Sequence, residues 1–370
     1  MSGSLIFRKT TTGFPPCALR ILKEDYVVVG TYELDKATGY RKGTIEVYDS
    51  ELRLKNTYPT YAAILDLKLS PHVENLIATA HSTGNVMLWK FDLGGLKELA
   101  NLQVFQTDVL ITSLNFSPLN ANSLVLTTTT GSIMTIDIAV GNCATGFKLC
   151  ESLITNMDTK IYEVQGTMQR CVDIVEKYDE FERGHTLECW TSEFGSLSPL
   201  ENVVFSGGDD CAIMAHDLRS KSFIWYNNTV HEGGVVAIKA ATESFRRNMP
   251  TSLLTGSYDD TIRSFDLRML GNSIFPGEGL RPLNIEELNL EGGVWRFSES
   301  PLNKESEDVN NLVVCCMYNG AKVVSVNGHK IETLAHEKDG HDSICYGCDW
   351  SNEFIATCSF YDKSLQLWNI

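Results

Sequence analysis

GHDSICYGCDWSNEFIATCSFYDKSLQLWNI, residues 340 to 370, is the stretch that decides the fold. Gly340-His341-Asp342 leads into an apolar strand ending at Trp350. Ile355 to Ser359 reads as a second strand, a turn follows at Tyr361-Asp362-Lys363, and Leu365 to Trp368 reads as a third. Three short period-2 strands with a tight Asp turn between the second and third make one repeating unit. Such a unit buries neither face alone, so it implies sisters.

The sisters align on the turn. Trp368 lies six residues after Asp362, and Phe265 lies six after Asp259 within Thr255 to Asp266. The same frame fits Ser206 to Asp217, Gly131 to Asp137, Gly84 to Trp89 and Gly43 to Asp49, and a weaker unit runs from Val313 to Val324 with Asn319 at the turn. Spacings of roughly forty to sixty residues are those of propeller blades with loop insertions. These are WD-type repeats. The expected fold is an all-β, seven-bladed WD-repeat β-propeller that uses residues 1 to 370 as a single domain. Residues 4 to 8 read as a strand outside the first blade, while the last blade stops at its third strand. The N-terminal strand is therefore expected to close the ring, leaving no open sheet edge. An irregular insertion at about 141 to 183 carries no Asp-turn signature. Apolar residues at helical spacing over 170 to 182 suggest a short surface helix there, with a degenerate eighth blade as the rival reading.

Composition sets outer bounds. With 31 basic and 47 acidic residues the net charge is −16, which opposes direct nucleic-acid binding, because that rests on neutralising phosphates. No apolar run reaches the roughly eighteen residues that span a bilayer, and the apolar stretch near Met1 is too short for a signal peptide. No membrane insertion and a cytoplasmic monomer are expected. The 11 cysteines show no framework spacing and are expected to be reduced. Cys345, Cys348, Cys315 and Cys316 lack a second metal-spaced partner and read as core residues, so neither metal nor cofactor is expected.

Some runs exceed what generic repeats explain: Glu291-Gly292-Gly293-Val294-Trp295-Arg296, His341-Asp342-Ser343 with Tyr346-Gly347 and Asp349-Trp350, and Ala356 to Asp362. With Ser206 to Asp210 and Thr255 to Asp259, they resemble the diphthine methyltransferase-type WD-repeat family, whose members are more accurately diphthine methylesterases. The likeness is specific over blades four to seven and generic over the first three. Phe297-Ser298-Glu299-Ser300-Pro301 and Asn319 depart from the family pattern. The resemblance implies removal of a methyl ester from methylated diphthine on translation elongation factor 2, the protein partner, during diphthamide biosynthesis. Methanol is released and a carboxylate is left for later amidation.

No Gly-x-Ser-x-Gly elbow is present, and a propeller offers no strand-to-helix turn to hold one. Hydrolysis must then use other groups. His185, His231 and His341 precede Asp210, Asp259 and Asp362, and in WD repeats such pairs commonly lock a blade. The irregular positions are the sharper candidates: Glu291 in the His slot of blade six, and Glu232 and Asp342 beside the histidines of blades five and seven. A carboxylate, or His341, would activate water, while Arg296 or the amides of Gly292 and Gly293 would stabilise the oxyanion. The catalytic set expected is Glu291, Asp342, His341 and Arg296. Trp295, Tyr258 and Tyr346 would face the substrate's trimethylammonium, with Gly292, Gly293, His231 and Glu232 completing the substrate site. A filled blade interface is the structural alternative for Trp295. At the level of function, the alternative is a non-catalytic adaptor that presents surfaces to protein partners.

Overall fold

Each repeat forms an antiparallel sheet because its short apolar strands are joined by tight turns, and the sheets pack face to face around an axis. The computed structural model describes residues 6–138, 173–174, 178–268, 285–305, 309–328 and 330–370. Among these residues are seven sheets of four or five strands. The innermost strands, Pro16–Leu22, Ile64–Leu69, Ile111–Phe116, Cys189–Phe194, Val235–Ala240, Arg296–Glu299 and Cys345–Trp350, touch in sequence all the way round. Each begins at one face of the ring, here called upper, and ends at the lower. Neighbouring sheets share one core. Val28, Ile45 and Val47 of blade one pack with Ile64, Leu67, Ile77, Met87 and Trp89 of blade two. A strand packed on both faces loses its polar alternation, and Leu76–His81 is buried at every position.

Ring closure follows the expectation. Ile6–Thr11 pairs antiparallel with Ser364–Trp368, from Ile6 opposite Trp368 to Thr11 opposite Ser364. The strand lies later than residues 4 to 8 suggested, and residues 4 and 5 are outside the described ones. Lys9 Nζ ties the seam to the carbonyl of Gly340 at 3.0 Å.

The helix expected over 170 to 182 is corrected. Tyr178–Glu180 is a strand that pairs with Ile133–Asp137 and completes blade three, and Asp173–Ile174 adds a parallel fifth strand beside Gly95–Gln103. Edge pairing takes up the backbone N–H and C=O groups that helical spacing had seemed to assign to a helix. In sequence the interval 139–177 falls between the third and fourth strands of blade three, and apart from Asp173–Ile174 it is outside the described residues. The one helical element described is a 3-10 turn, Pro301–Lys304. Among the described residues no helix is long and apolar enough to cross a membrane.

Candidate active site

Histidines at the blade openings are buried in locks. His185 Nδ1 lies 2.8 Å from Asp210 Oδ1 and Nε2 lies 2.9 Å from Ser206 Oγ. In blade five Arg263 stands between the expected partners: its Nη1 donates to Asp259 Oδ2 at 2.8 Å and lies 3.0 Å from His231 Nδ1. Blade seven departs from the expectation. His341 Nε2 meets Thr357 Oγ1 at 2.8 Å, and Trp368 Nε1 donates to the same oxygen at 3.2 Å, but His341 Nδ1 has no hydrogen-bond partner. Asp362 instead accepts from the Asp342 amide at 2.9 Å and from Ser359 Oγ at 2.6 Å. The aspartate holds the backbone beside the histidine rather than its ring. Burial lowers the His341 pKa to about 4, against a smaller opposing pull from Asp362.

Blade six has no His–Asp lock. Glu291 occupies the slot in a left-handed conformation, φ 60°, and its side chain is exposed, with Lys322 Nζ at 3.5 Å. The lock is replaced by two donors on the preceding carbonyl: Asn319 Nδ2 at 3.0 Å and Lys322 Nζ at 2.7 Å both reach Leu290 O. Asn319, a departure at the level of sequence, thus keeps the turn's holding role. Gly292 and Gly293 are buried where a Cβ would strike the Cys316 carbonyl and Met317 Sδ respectively.

The mouth of the central channel is built by a repeated bulge. Inner strands slip register at their second residue, which places Cys17, Leu65, Thr112, Trp190, Val236 and Tyr346 at bulges. A bulge re-aims its side chain, and blades four, six and seven put an aromatic at or beside this level. Trp295, just ahead of Arg296–Glu299, is the hub. Its ring lies 4.9 Å from Tyr346, 5.8 Å from Tyr258 in a stacked arrangement, and 5.8 Å from Trp190. Phe360 and Tyr361 extend the cluster outward. Burial, chiefly, raises the phenol pKa of Tyr258 and Tyr346, so both stay neutral.

Beneath this aromatic floor Arg296 reaches across the channel. Its Nη1 donates to Asp66 Oδ1 at 2.8 Å and its Nη2 to Leu65 O at 3.1 Å. Burial pushes the Asp66 carboxyl upward, but Arg296, Lys68 and Arg20 outweigh it and hold the pKa low. Among the buried donors without a protein acceptor are Trp295 Nε1 and Arg296 Nε. Both residues border a cavity of about 300 Å³ that continues past the strand ends to Pro71, Pro118, Ser196 and Thr242, and so opens on the lower face. Cys17 lies close to Arg296 and Asp66, and burial drives its thiol up to about 12.

The structure thus brings Trp295, Tyr258, Tyr346 and Arg296 together. Glu232, Glu291 and Asp342 stand exposed on upper-face loops, and His231 and His341 lie inside blades. Trp190, Asp66 and Asp209 were missed at the level of sequence. No local signal singled out Asp209, since the same doubled Asp recurs at Asp259-Asp260. Among the described residues no group of three or more His, Cys, Asp or Glu is arranged to hold a metal ion.

Known proteins bear on this arrangement. The WD domain, G-beta repeat, family matches residues 322–369. The chain is 50% identical to diphthine methyltransferase of Saccharomyces cerevisiae, over 98% of this chain and 97% of that one. It is 32% identical to diphthine methyltransferase of Schizosaccharomyces pombe, over 100% and 99%. A chain from a crystal structure of the mitotic checkpoint complex superposes with a TM-score of 0.67 at 14% identity, over 100% of this chain and 93% of that one, which is a likeness of fold alone.

Proposed function

The chain belongs to the diphthine methyltransferase family of WD-repeat proteins, and from that membership we propose a role in diphthamide biosynthesis: removal of the methyl ester from methylated diphthine on translation elongation factor 2. Water adds to the ester carbonyl, the bond to the methoxy oxygen breaks, and methanol leaves behind a carboxylate and a proton. We place the enzyme in the cytoplasm as a monomer.

The observation that supports this chemistry is the pair of unsatisfied donors, Trp295 Nε1 and Arg296 Nε, under an aromatic cluster. A buried N–H without an acceptor is costly unless a ligand completes it. The oxyanion of a tetrahedral intermediate is such a ligand, and preorganised donors in a water-poor site stabilise it strongly. Asp66 compensates the guanidinium charge yet leaves Nε–H free, so the donor persists without an unpaired buried charge. The faces of Trp295, Tyr258 and Tyr346 suit the trimethylammonium group.

Glu291 and Asp342, on the upper-face loops, are the proposed acceptors of the proton from attacking water. With Glu232 they make that face negative, which draws in a cationic substrate. Tyr318 and Tyr361, 67% and 71% exposed, offer the surrounding protein a contact. His231 and His341 we assign to the locks.

The test is incubation of the pure protein with elongation factor 2 carrying methylated diphthine, reading the mass of the modified peptide. Loss of one methyl supports the reading and an unchanged mass rejects it. A gain of methyl from an added methyl donor would replace it with the reaction spelled out in the relatives' name.

A further inference from the structure

Asp209 is set apart from the other carboxylates of the upper-face turns. Asp210 accepts from His185, the Thr186 amide and the Ala212 amide. Asp259 accepts from Arg263 and the Glu232 amide, and Asp362 from Ser359 and the Asp342 amide. Asp209 Oδ1 is shielded from solvent and has no partner within normal hydrogen-bond geometry, and the one donor that lowers its pKa is the neutral Trp190 indole N–H. Its own amide is fixed to the Glu188 carbonyl at 2.9 Å, so the turn cannot readily swing the carboxylate away. Gly234 packs so closely that a Cβ there would stand 2.5 Å from Asp209 Oδ1 and 3.0 Å from Tyr258 Cδ2. The carboxylate therefore borders the same ring that stacks on Trp295.

None of the groups that act on this shielded carboxylate is a cation, so it suits a positive partner from outside. Burial, chiefly, with Glu188 and Asp210, pushes the Asp209 pKa up against the Trp190 indole N–H. The surroundings select the kind of cation. Trp190, Tyr258, Trp295 and Tyr346 present π-faces, which attract positive charge but accept no conventional hydrogen bonds. A primary ammonium needs an acceptor for each of three N–H groups, whereas a trimethylated nitrogen needs none.

We propose that Asp209, with Trp190, Tyr258, Trp295 and Tyr346, forms a binding site for an alkyl-trimethylammonium group, in which the carboxylate supplies the counter-charge and the rings the walls. The site deepens the proposed function and rests on it only for the identity of the natural ligand. Ligand recognition thereby becomes measurable without turnover.

The probe pair is choline and 3,3-dimethyl-1-butanol, its uncharged isostere, titrated at matched ionic strength into the full chain while the intrinsic tryptophan fluorescence is read. Saturable choline binding at least about tenfold tighter than that of the isostere is expected. In Asp209→Asn, choline should weaken by about tenfold, one step of roughly 1.4 kcal/mol, while the isostere stays where it was. Equal binding of the two probes by the wild-type protein overturns the proposal, as does an Asp209→Asn protein that binds choline normally. If that variant fails to fold, Trp190→Leu must weaken choline more than the isostere, and equal weakening counts against the site. Choline binding without ester removal would sink the proposed reaction and leave this site standing. Ester removal that choline neither binds nor competes with would do the reverse.

Discussion

Asp210 and Asp209 are neighbours on one turn, and they belong to different machines. Asp210 points into the blade, where His185 and two amides saturate it and hold its pKa below the usual carboxylate range against burial. Asp209 faces the mouth, is unsaturated at Oδ1, and has its pKa raised. The same division runs through the upper half of the ring. Lock residues find their partners within the fold, or, like His341 through Nε2, find most of them. Mouth residues Trp295, Arg296 and Asp209 each keep a polar atom open. At this turn the saturated carboxylate serves the blade, and the one with an open oxygen serves the mouth.

Arg296 is the place where the division breaks, and it carries the largest expected effect. As an oxyanion donor alone, Arg296 could be replaced by Ala with loss of activity and no change in the melting curve. Its ion pair with the buried Asp66 changes that expectation, since removing one partner of such a pair costs about 3–5 kcal/mol. Both activity and melting temperature should fall. Arg296→Ala in the Asp66→Asn background should recover part of the stability and none of the activity, as followed by thermal melts beside methanol release. A single variant that melts like the wild type would show that the ion pair is not formed.

Next come the locks. Asp210→Ala leaves a buried His185 half-bonded, so roughly 1 to 3 kcal/mol of stability should be lost, with activity per folded molecule unchanged. Denaturant midpoints combined with active-site normalised rates check this. A loss of turnover beyond the loss of folded protein would move Asp210 into the chemistry.

The two histidines give the division opposite pH signs. His341 is depressed to about 4 from 6.5 by burial, so the unfolded chain binds more protons in that interval and stability is lost as pH falls from about 6.5 through 4. His185 is raised, because Cys189 and Asp210 outweigh its burial; its stabilisation is complete below 6.5 and is lost as pH rises through the raised value. Melting temperature against pH should therefore lose part of its acid slope in His341→Gln and part of its alkaline slope in His185→Gln. Identical profiles would contradict the assignment.

The smallest structural effect belongs to the rim. Glu291→Gln and Asp342→Asn alter exposed side chains and should move stability by no more than about 0.5 kcal/mol, while methyl-ester removal falls sharply. Full activity in both would strip them of proton transfer and leave the fold and the aromatic site untouched.

Blade count and closure by the first strand were legible in the sequence, because Asp turns and period-2 strands are local signals. What stayed hidden depended on contacts across the ring. Asp66 is separated from Arg296 by 230 positions, and no spacing rule links them. Trp190 sits in an ordinary-looking strand, and only the bulge between Cys189 and Thr191 shows that it faces the mouth. Tyr178–Glu180 was read at helical spacing because its partner strand lies some forty residues earlier, at Ile133–Asp137. The His341–Asp362 bond was expected from the motif, yet the aspartate had nearer donors in the Asp342 amide and Ser359.

The most direct measurement is methanol release from methylated diphthine on elongation factor 2, per folded molecule, by Trp295→Leu and Thr357→Ala side by side. Trp295 is the hub of the mouth, and Thr357 joins His341 to Trp368 in the blade-seven lock. Trp295→Leu should lose at least about thirtyfold, the scale of one cation–π contact of roughly 2 kcal/mol, while Thr357→Ala keeps its rate and loses only stability. Normal release by Trp295→Leu, with release abolished in folded Thr357→Ala, would place the chemistry in the lock and contradict the assignment to the mouth.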